Sequence, residues 1–328
     1  MKIIKIDSNV SKDRLRIELF LSNVCNYKCW YCFPASNTGT HPWPDLDLIK
    51  ENLSHVIEYY KTNLNKKQIY LHIIGGEPTL WKNFGEFVKF FKETHNCLIS
   101  ISTNGSRTLR WWNEYGHYID QVMLSCHHEY VDTAHTIEVA SILYKKRIDL
   151  VALVLMDPSA WDKCVEIIQQ LETSKYKWPI AAMEVHHETL KYTEDQKEFL
   201  KNYKSPRSNL WYKIRSSKIT HPLPTVTFED GSKKQVDQNY LSLNNFNKFY
   251  GWECNLGIDT LYIEKSGYMQ GACGQPLYNL DFKYNIFDTD FKEKFSPAIV
   301  PVICKKTGSC GCQPETNARK QNILALKR

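Results

Sequence analysis

Three cysteines fall within the short stretch Cys25-Asn-Tyr-Lys-Cys29-Trp-Tyr-Cys32. Three residues separate the first pair and two separate the second. Soft thiolates at such spacing can converge on one metal centre. An iron–sulfur cube takes four cysteine ligands, so a compact set of three leaves one iron open to a different ligand. A zinc site and a chance surface cluster are the competing readings of the triple taken alone.

The other cysteines are unevenly placed. Of eleven in the chain, three lie at 25–32 and five at 254–312, namely Cys254, Cys273, Cys304, Cys310 and Cys312. Cys97, Cys126 and Cys164 stand alone, and isolated cysteines are ordinarily small core residues. The first seven residues lack the apolar core of a signal peptide. No apolar run is long enough to span a bilayer, 150–156 being one of the longest, so no membrane partner is expected. The expected location is cytoplasmic. In that reducing setting, clustered cysteines point to metal and not to a disulfide framework. The net charge of +6, from 42 basic and 36 acidic side chains, is spread along the chain. With no dense basic run, it argues against a nucleic-acid partner.

Alternating strand and helix patterns surround the cysteine loop. Residues 14–21 alternate apolar and polar as a strand and run into the loop. A polar stretch follows over 36–44, then Asp45 as a helix N-cap. Leu46, Ile49, Leu53, Val56, Ile57 and Tyr60 recur behind it at helical spacing. Further strands are expected at 68–74, 98–102, 121–125, 148–156 and 180–185. Helices are expected at 84–93, 109–115, 133–146, 161–172 and 193–202. The 133–146 helix turns Ile137, Ala140, Ile142 and Leu143 to its apolar side. Six strand–helix units imply a mostly parallel α/β sheet, which right-handed crossovers would curl into a partial (βα)6 barrel. In such folds the site lies at the carboxyl ends of the strands. Gly75-Gly76-Glu77-Pro78, Thr103-Asn104-Gly105, Cys126-His127-His128-Glu129 and His186-His187 all fall at such ends.

Past about residue 204 the pattern changes to prolines, polar runs and short strands. Hairpins are expected at 225–228, turning at Asp230-Gly231, and at 260–272, turning at Lys265-Ser266-Gly267. The expected division is residues 1–204 for the barrel and 205–328 for a small irregular α+β extension. The extension has little apolar pattern, and metal stapling would give it a reason to fold.

Cys25-x-x-x-Cys29-x-Tyr31-Cys32, followed by Gly75-Gly76-Glu77-Pro78 and Thr103-Asn104-Gly105, resembles the radical S-adenosylmethionine (AdoMet) superfamily over roughly residues 14–200. The resemblance implies a [4Fe–4S] cluster on Cys25, Cys29 and Cys32, with AdoMet chelating the open iron. It implies close approach of backbone to AdoMet at Gly75 and Gly76, and Glu77 accepting from the methionine ammonium. It further implies contacts from Thr103, Asn104 and Ser125 to ribose or methionine, and from Tyr31 to adenine. Cys254, the hairpin with Gly267 and Cys273 resemble the SPASM or twitch auxiliary-cluster extension. The chain departs from that pattern. Gly267 lies one residue further from Cys273 than usual, and the distal cysteines read Cys304-x5-Cys310-x-Cys312. Five cysteines suit one auxiliary [4Fe–4S] cluster on four of them, a cluster with an open iron, or a zinc site.

The resemblance implies an enzyme of oxidoreductase type. An external one-electron donor of the flavodoxin or ferredoxin kind would reduce the cluster, AdoMet would yield a 5′-deoxyadenosyl radical, and that radical would abstract a hydrogen atom from a peptide, protein or small metabolite. Dehydrogenation, cross-linking or epimerisation would follow. The substrate pocket is expected from Cys126, His127, Glu184 and His186, with Cys126 a potential hydrogen donor. Only 24 residues precede Cys25, from which no separate leader-binding domain is expected. An electron-transfer scaffold would explain the cysteines but not Gly75-Gly76-Glu77-Pro78, and a zinc-stapled binding protein is the remaining alternative.

Overall fold

The computed structural model describes residues 2–7, 12–32, 36–185, 189–203, 224–236, 241, 245–270, 283–297, 299–310 and 318–323. In chain order the elements begin β1 (Ile3–Asp7), β2 (Arg14–Phe20), α1 (Leu46–Leu64), β3 (Gln68–Ile74), α2 (Phe84–His95), β4 (Leu98–Thr103) and α3 (Leu109–Tyr115). They continue with β5 (Gln121–Cys126), α4 (Thr133–Lys145), β6 (Asp149–Met156), α5 (Trp161–Glu172), β7 (Ile180–Glu184) and α6 (Glu194–Asn202). The rest are short: β8 (Thr225–Phe228), β9 (Lys233–Gln235), β10 (Glu253–Cys254), β11 (Thr260–Ile263), β12 (Met269–Gln270), α7 (Phe291–Lys294), β13 (Val302–Ile303) and β14 (Lys320–Gln321).

All six expected strand–helix units form. Strands β2 to β7 lie parallel in sequence order within one sheet. Local chemistry explains the first helix well. Asp45 caps α1 by accepting from the Leu48 N–H at 2.9 Å, and Ile49, Leu53, Val56, Ile57 and Tyr60 are completely buried. Fully burying each such side chain stabilises by about 1.5–3 kcal/mol. The helices pack on one face of the sheet, against Leu15, Ile17, Leu19, Leu71, Ile73, Ile99 and Ile101. On α4 the buried stripe is Thr136, Val139, Ala140 and Leu143, with Ile137 and Ile142 only half-buried. That face is rotated from the expected one because the Thr136 hydroxyl turns in and bonds the Asp132 carbonyl at 2.8 Å.

Two features were not anticipated. Strand β1 leaves the first sheet and pairs antiparallel with β8 and β14, in a second sheet ordered β13-β10-β14-β1-β8-β9. Its Ile3 and Ile6 join Val226, Phe228, Phe249 and Trp252 in a small separate core. This supplies part of the apolar surface that the C-terminal segment lacks by itself. Conversely, the expected hairpin β11–β12 extends the first sheet, with β11 parallel to β2. Strand pairing therefore crosses the expected division at residue 204 in both directions. Both hairpins otherwise form where expected, β8–β9 around Asp230-Gly231 and β11–β12 around Gly267.

A buried ion triad ties the two regions together. The fully buried Asp259 carboxylate takes a two-pronged contact from the Arg319 guanidinium at 2.7 and 2.8 Å, and one bond from Lys66 Nζ at 3.1 Å. Burial pushes the Lys66 ammonium down, partly offset by Asp259, whereas the half-exposed Arg319 is pushed up by its bond to the same carboxylate. The two shifts differ in sign because burial outweighs the carboxylate at Lys66, whereas the carboxylate outweighs burial at Arg319. Lys66 Nζ also donates to the carbonyls of Lys12 and Arg14, just before and within β2. Among the described residues, no helix is long and apolar enough to cross a membrane.

Candidate active site

The carboxyl ends of β2 to β5 meet around a cavity of about 180 Å³. Cys25, Cys29 and Cys32 line it with Gly75, Gly76, Thr103, Asn104, Ser125 and His127. Four chain segments far apart in sequence thus supply one wall. A larger recess of about 590 Å³ lies at the opposite, amino-terminal end of β7, lined by Tyr176, Trp178, Pro179 and Tyr203 among others, with no cysteine.

The approach to the cysteine loop is held by two buried polar residues, Ser22 and Asn23. The Ser22 hydroxyl donates to the His41 carbonyl at 2.7 Å and accepts from the Val24 N–H at 3.1 Å. The Asn23 amide donates to Thr38 and Thr40, and its oxygen accepts from the His41 N–H at 2.7 Å. Within the loop, the Cys32 N–H donates to the Cys29 carbonyl at 3.1 Å, and the Asn37 amide donates to that same carbonyl at 3.3 Å.

Gly75 and Gly76 are required by the protein itself. A Cβ on Gly75 would stand 2.6 Å from the Ser22 carbonyl oxygen, and one on Gly76 would stand 2.3 Å from that of Val24. The two segments meet backbone to backbone, with Gly76 N–H donating to the Ser22 carbonyl and Glu77 N–H to that of Val24, both at 2.8 Å. The closest neighbour of these glycines is therefore the cysteine-bearing chain. Both also line the cavity.

Glu77 sits differently from its expected role. It is fully buried and does not line the cavity. One carboxylate oxygen accepts from the Thr79 N–H at 3.1 Å and from the Thr79 and Thr103 hydroxyls at 2.6 Å each, and the other accepts from the Asn104 N–H at 2.5 Å. Burial pushes its pKa up, while these four donors pull it back. Glu77 clamps the ends of β3 and β4. Asn104 in turn donates from its amide to Asn26 at 2.9 Å, reaching the cysteine loop.

Tyr31 is buried between two histidines. Its ring stacks on His127 and His128 at 5.8 and 5.9 Å, and its hydroxyl contacts His127 Nδ1 at 3.2 Å. Burial, with His128 adding to it, lowers the His127 pKa to about 4, so its imidazole is neutral. Cys126 is a correction to the expected pocket. It is buried with Ala152, Val154, Cys164 and Ile168 on the helix-covered face, and its thiol is pushed up to about 12 by burial. Alternation puts Ser125 at the cavity and Cys126 behind the sheet. Glu184 is exposed and shares the strand face of Ala182, away from the cavity. His186 and His187 lie outside the described residues.

Sequence reasoning missed Tyr27, Ser36 and Asn37, which also line the cavity, and Asp157 and Tyr192 behind it. The Tyr192 hydroxyl accepts from the Val185 N–H at 2.8 Å and donates to the Met156 carbonyl at 2.7 Å, joining the ends of β6 and β7. No signal in a single sequence marks an asparagine or tyrosine in a polar loop for such a task.

The thiols suit a metal centre in chemistry. They are soft donors from one loop, facing one cavity beside two glycines that leave the wall bare. Their sulfurs are not gathered as placed: among the described residues, no three His, Cys, Asp or Glu side chains stand within reach of one metal ion. Burial pushes Cys25 up and Cys29 up to about 12, with Glu129 next in effect on Cys29. Metal binding would reverse this by stabilising the thiolates. In the second sheet, Cys254 on β10 pairs across to Val302, two residues before Cys304. The Cys304 N–H donates to the Trp252 carbonyl at 2.8 Å, and the Cys310 N–H to the Asn247 carbonyl at 2.7 Å. Three of the five late cysteines thus occupy one neighbourhood, while Cys273 and Cys312 lie outside the described residues.

Residues 19–155 match the family model described as the Radical SAM superfamily. The chain is 33% identical over 104 residues to GTP 3′,8-cyclase of Haemophilus ducreyi, covering 30% of this chain and 29% of that protein. It is 33% identical over 110 residues to the S-adenosylmethionine-dependent nucleotide dehydratase of a Fibrobacter species, covering 33% and 32%. The match spans about a third of the length of these curated relatives. Among solved structures, anSMEcpe with bound AdoMet and the Cp18Cys peptide has a TM-score of 0.52 at 18% identity, over 86% of this chain and 80% of that one. SuiB of Streptococcus suis bound to its precursor peptide SuiA has a TM-score of 0.51 at 14% identity, over 87% and 65%. At these identities the likeness is one of fold. Residues 19–155 thus match the radical SAM family model, and the solved structures share the fold of the strand–helix sheet.

Proposed function

We propose that the chain is a radical SAM enzyme in which Cys25, Cys29 and Cys32 hold a [4Fe–4S] cluster and the cavity beside them takes AdoMet. The observation that carries this reading is the convergence of the three cysteines with Gly75, Gly76, Thr103, Asn104 and Ser125 on one cavity. When bound, the cluster and AdoMet would supply radical chemistry able to take a hydrogen atom from a substrate, drawing one electron from an external donor of the flavodoxin or ferredoxin kind.

The protein's own part is to bind and shield. The glycines leave the cavity wall bare, the Thr103 and Asn104 ends are fixed by Glu77, and the neutral His127, backed by Tyr31, closes one side. A neutral imidazole suits a cationic sulfonium, which an imidazolium would repel. Glu77 acts through Thr103 and Asn104, not by touching AdoMet. The sheet would curl as a partial barrel around a substrate on its helix-free face. The C-terminal segment, with Cys254, Cys273, Cys304, Cys310 and Cys312, would hold an auxiliary cluster in the manner of a SPASM or twitch extension and accept an electron from the substrate radical. The two segments would act as a catalytic unit over 1–204 and an electron-accepting unit over 205–328. The substrate would be a peptide, a protein or a small metabolite; the relatives' own names include nucleotides and peptides.

The test is anaerobic reconstitution with iron and sulfide, followed by AdoMet and a strong reductant, with 5′-deoxyadenosine as the readout. Formation by the wild type and loss in Cys29→Ala is the expected result. No product from protein shown to carry a cluster would overturn the reading. Iron counting in the Cys25→Ala/Cys29→Ala/Cys32→Ala variant reads the second centre by itself.

A further inference from the structure

We propose that Asp157 is a positioning residue for the metal loop, holding the Cys29–Cys32 turn to the end of β6 through the indole of Trp30. Asp157 follows β6 directly and is fully buried. Its two oxygens have separate partners. Oδ1 accepts from the N–H and hydroxyl of Ser159, at 2.8 and 2.6 Å, which fixes the carboxylate in a local turn. Oδ2 accepts from Trp30 Nε1 at 3.2 Å, across 127 residues of sequence.

Trp30 is an unusual residue to be held this way. Its ring is 45% exposed, yet its N–H reaches an acceptor with no exposure at all. It lies between Cys29 and Cys32, and its ring meets Tyr31 edge-on at 5.5 Å. Tyr31 continues to His127 at the cavity. His128 closes the other side of the carboxylate, with Nε2 3.9 Å from Oδ2. One buried anion thus fixes the loop from behind, while the cavity faces its other side. Hydrogen bonds to an ionised acceptor are the stronger kind, and this one spans two elements whose relative position decides where two sulfurs point.

This role rests on the proposed function, since it concerns a loop that holds a cluster. The experiment uses the full chain, reconstituted anaerobically as wild type, Trp30→Phe, Asp157→Asn, Asp157→Ala and Trp30→Phe/Asp157→Ala. The readouts are bound iron, the rate at which a chelator strips it, and the change in the electron paramagnetic resonance spectrum of the reduced cluster on adding AdoMet. Trp30→Phe and Asp157→Ala are expected to speed stripping by about tenfold, the low end for a hydrogen bond to a charged group. The double variant is expected to match Asp157→Ala, because Trp30→Phe removes nothing further once the acceptor is gone. Asp157→Asn keeps one acceptor oxygen where the carboxylate uses two, and is expected to lie between wild type and Asp157→Ala in stripping rate and spectral change. Wild-type stripping and spectra in Trp30→Phe, or additive effects in the double variant, would overturn this role alone. A wild type that takes up no iron would reject the proposed function, and this role with it. Trp30→Phe guards against misfolding, since it alters an exposed ring and leaves the Asp157 turn intact.

Discussion

Substituting Gly76 by alanine tests whether the seam between β3 and the cysteine-bearing chain builds the site. The new Cβ would stand 2.3 Å from the Val24 oxygen, 2.6 Å from its carbon and 2.9 Å from the Asn23 carbon. Carbon–oxygen contacts in proteins settle near about 3.3 Å, so the Val24 carbonyl must move by roughly 1 Å. Every atom in the way is backbone, and no side-chain rotation relieves it. Overpacking of this kind costs about 1–3 kcal/mol, and each backbone hydrogen bond lost from the seam adds about 0.5–1.5 kcal/mol. About 3 kcal/mol is the central expectation, a large share of the 5–15 kcal/mol typical of a domain. Val24 immediately precedes Cys25, so the displacement reaches the metal loop. Urea unfolding of the iron-free chain should show a lower midpoint with an unchanged slope, and reconstitution should give less bound iron. Gly308→Ala is the matched control, because nothing lies within 4 Å of a Cβ there. Wild-type stability in Gly76→Ala would refute the steric argument. Lost stability with full iron uptake and an intact AdoMet response would refute the link from seam to site.

Asp259→Ala should cost about 3–5 kcal/mol by leaving the buried Lys66 ammonium beside Arg319 without its anion. Adding Lys66→Met should recover part of the loss in the same unfolding assay, and a double variant worse than the single would contradict the triad. Tyr192→Phe removes the acceptor of the buried Val185 N–H and should cost about 1–3 kcal/mol, visible as a lower unfolding midpoint. A change under about 0.5 kcal/mol would mean that this N–H finds another partner. The His127 pKa is depressed in the folded chain, from about 6.5 to about 4. Its contribution is therefore complete above pH ~6.5 and is lost as the pH falls towards 4. Stability of the iron-free wild type should drop over that window more steeply than that of His127→Gln. Equal slopes would show that His127 is not the group responsible.

The framework of the site was legible because it is local. Apolar spacing of 2 and 3.6 marks β2 to β7 and their helices, and punctuation such as Gly75-Gly76 marks the ends where chemistry gathers. Pairing between distant segments was not legible. Ile3 to Asp7 is too short to announce which sheet it joins, and nothing in Thr260 to Ile263 says that it extends β2. Side-chain direction at strand ends was also hidden. Cys126 and Ser125 differ by one position, and only the register decides which one meets the cavity. The fourfold contact of Glu77 with Thr79, Thr103 and Asn104 depends on how closely β3 and β4 end together. Asp157 carries no mark at all, since its importance lies in a tryptophan 127 residues earlier.

The placement of β11 beside β2 also bears on synthesis at the ribosome. Strands β2 to β7 are complete once Glu184 is made, but the neighbour of β2 on its far side is residues 260–263. Phe20 and Ile263 are 243 residues apart. At about 5–20 residues per second, the outer edge of β2 waits roughly 12–50 s for its partner. An open strand edge of that duration invites pairing with another chain. Strand β2 carries Arg14, Arg16 and Glu18 on the face away from its helices, and inward-pointing charge of this sort discourages such pairing. The alternation that identifies the strand would then also protect the nascent chain until its own last third arrives to close the sheet.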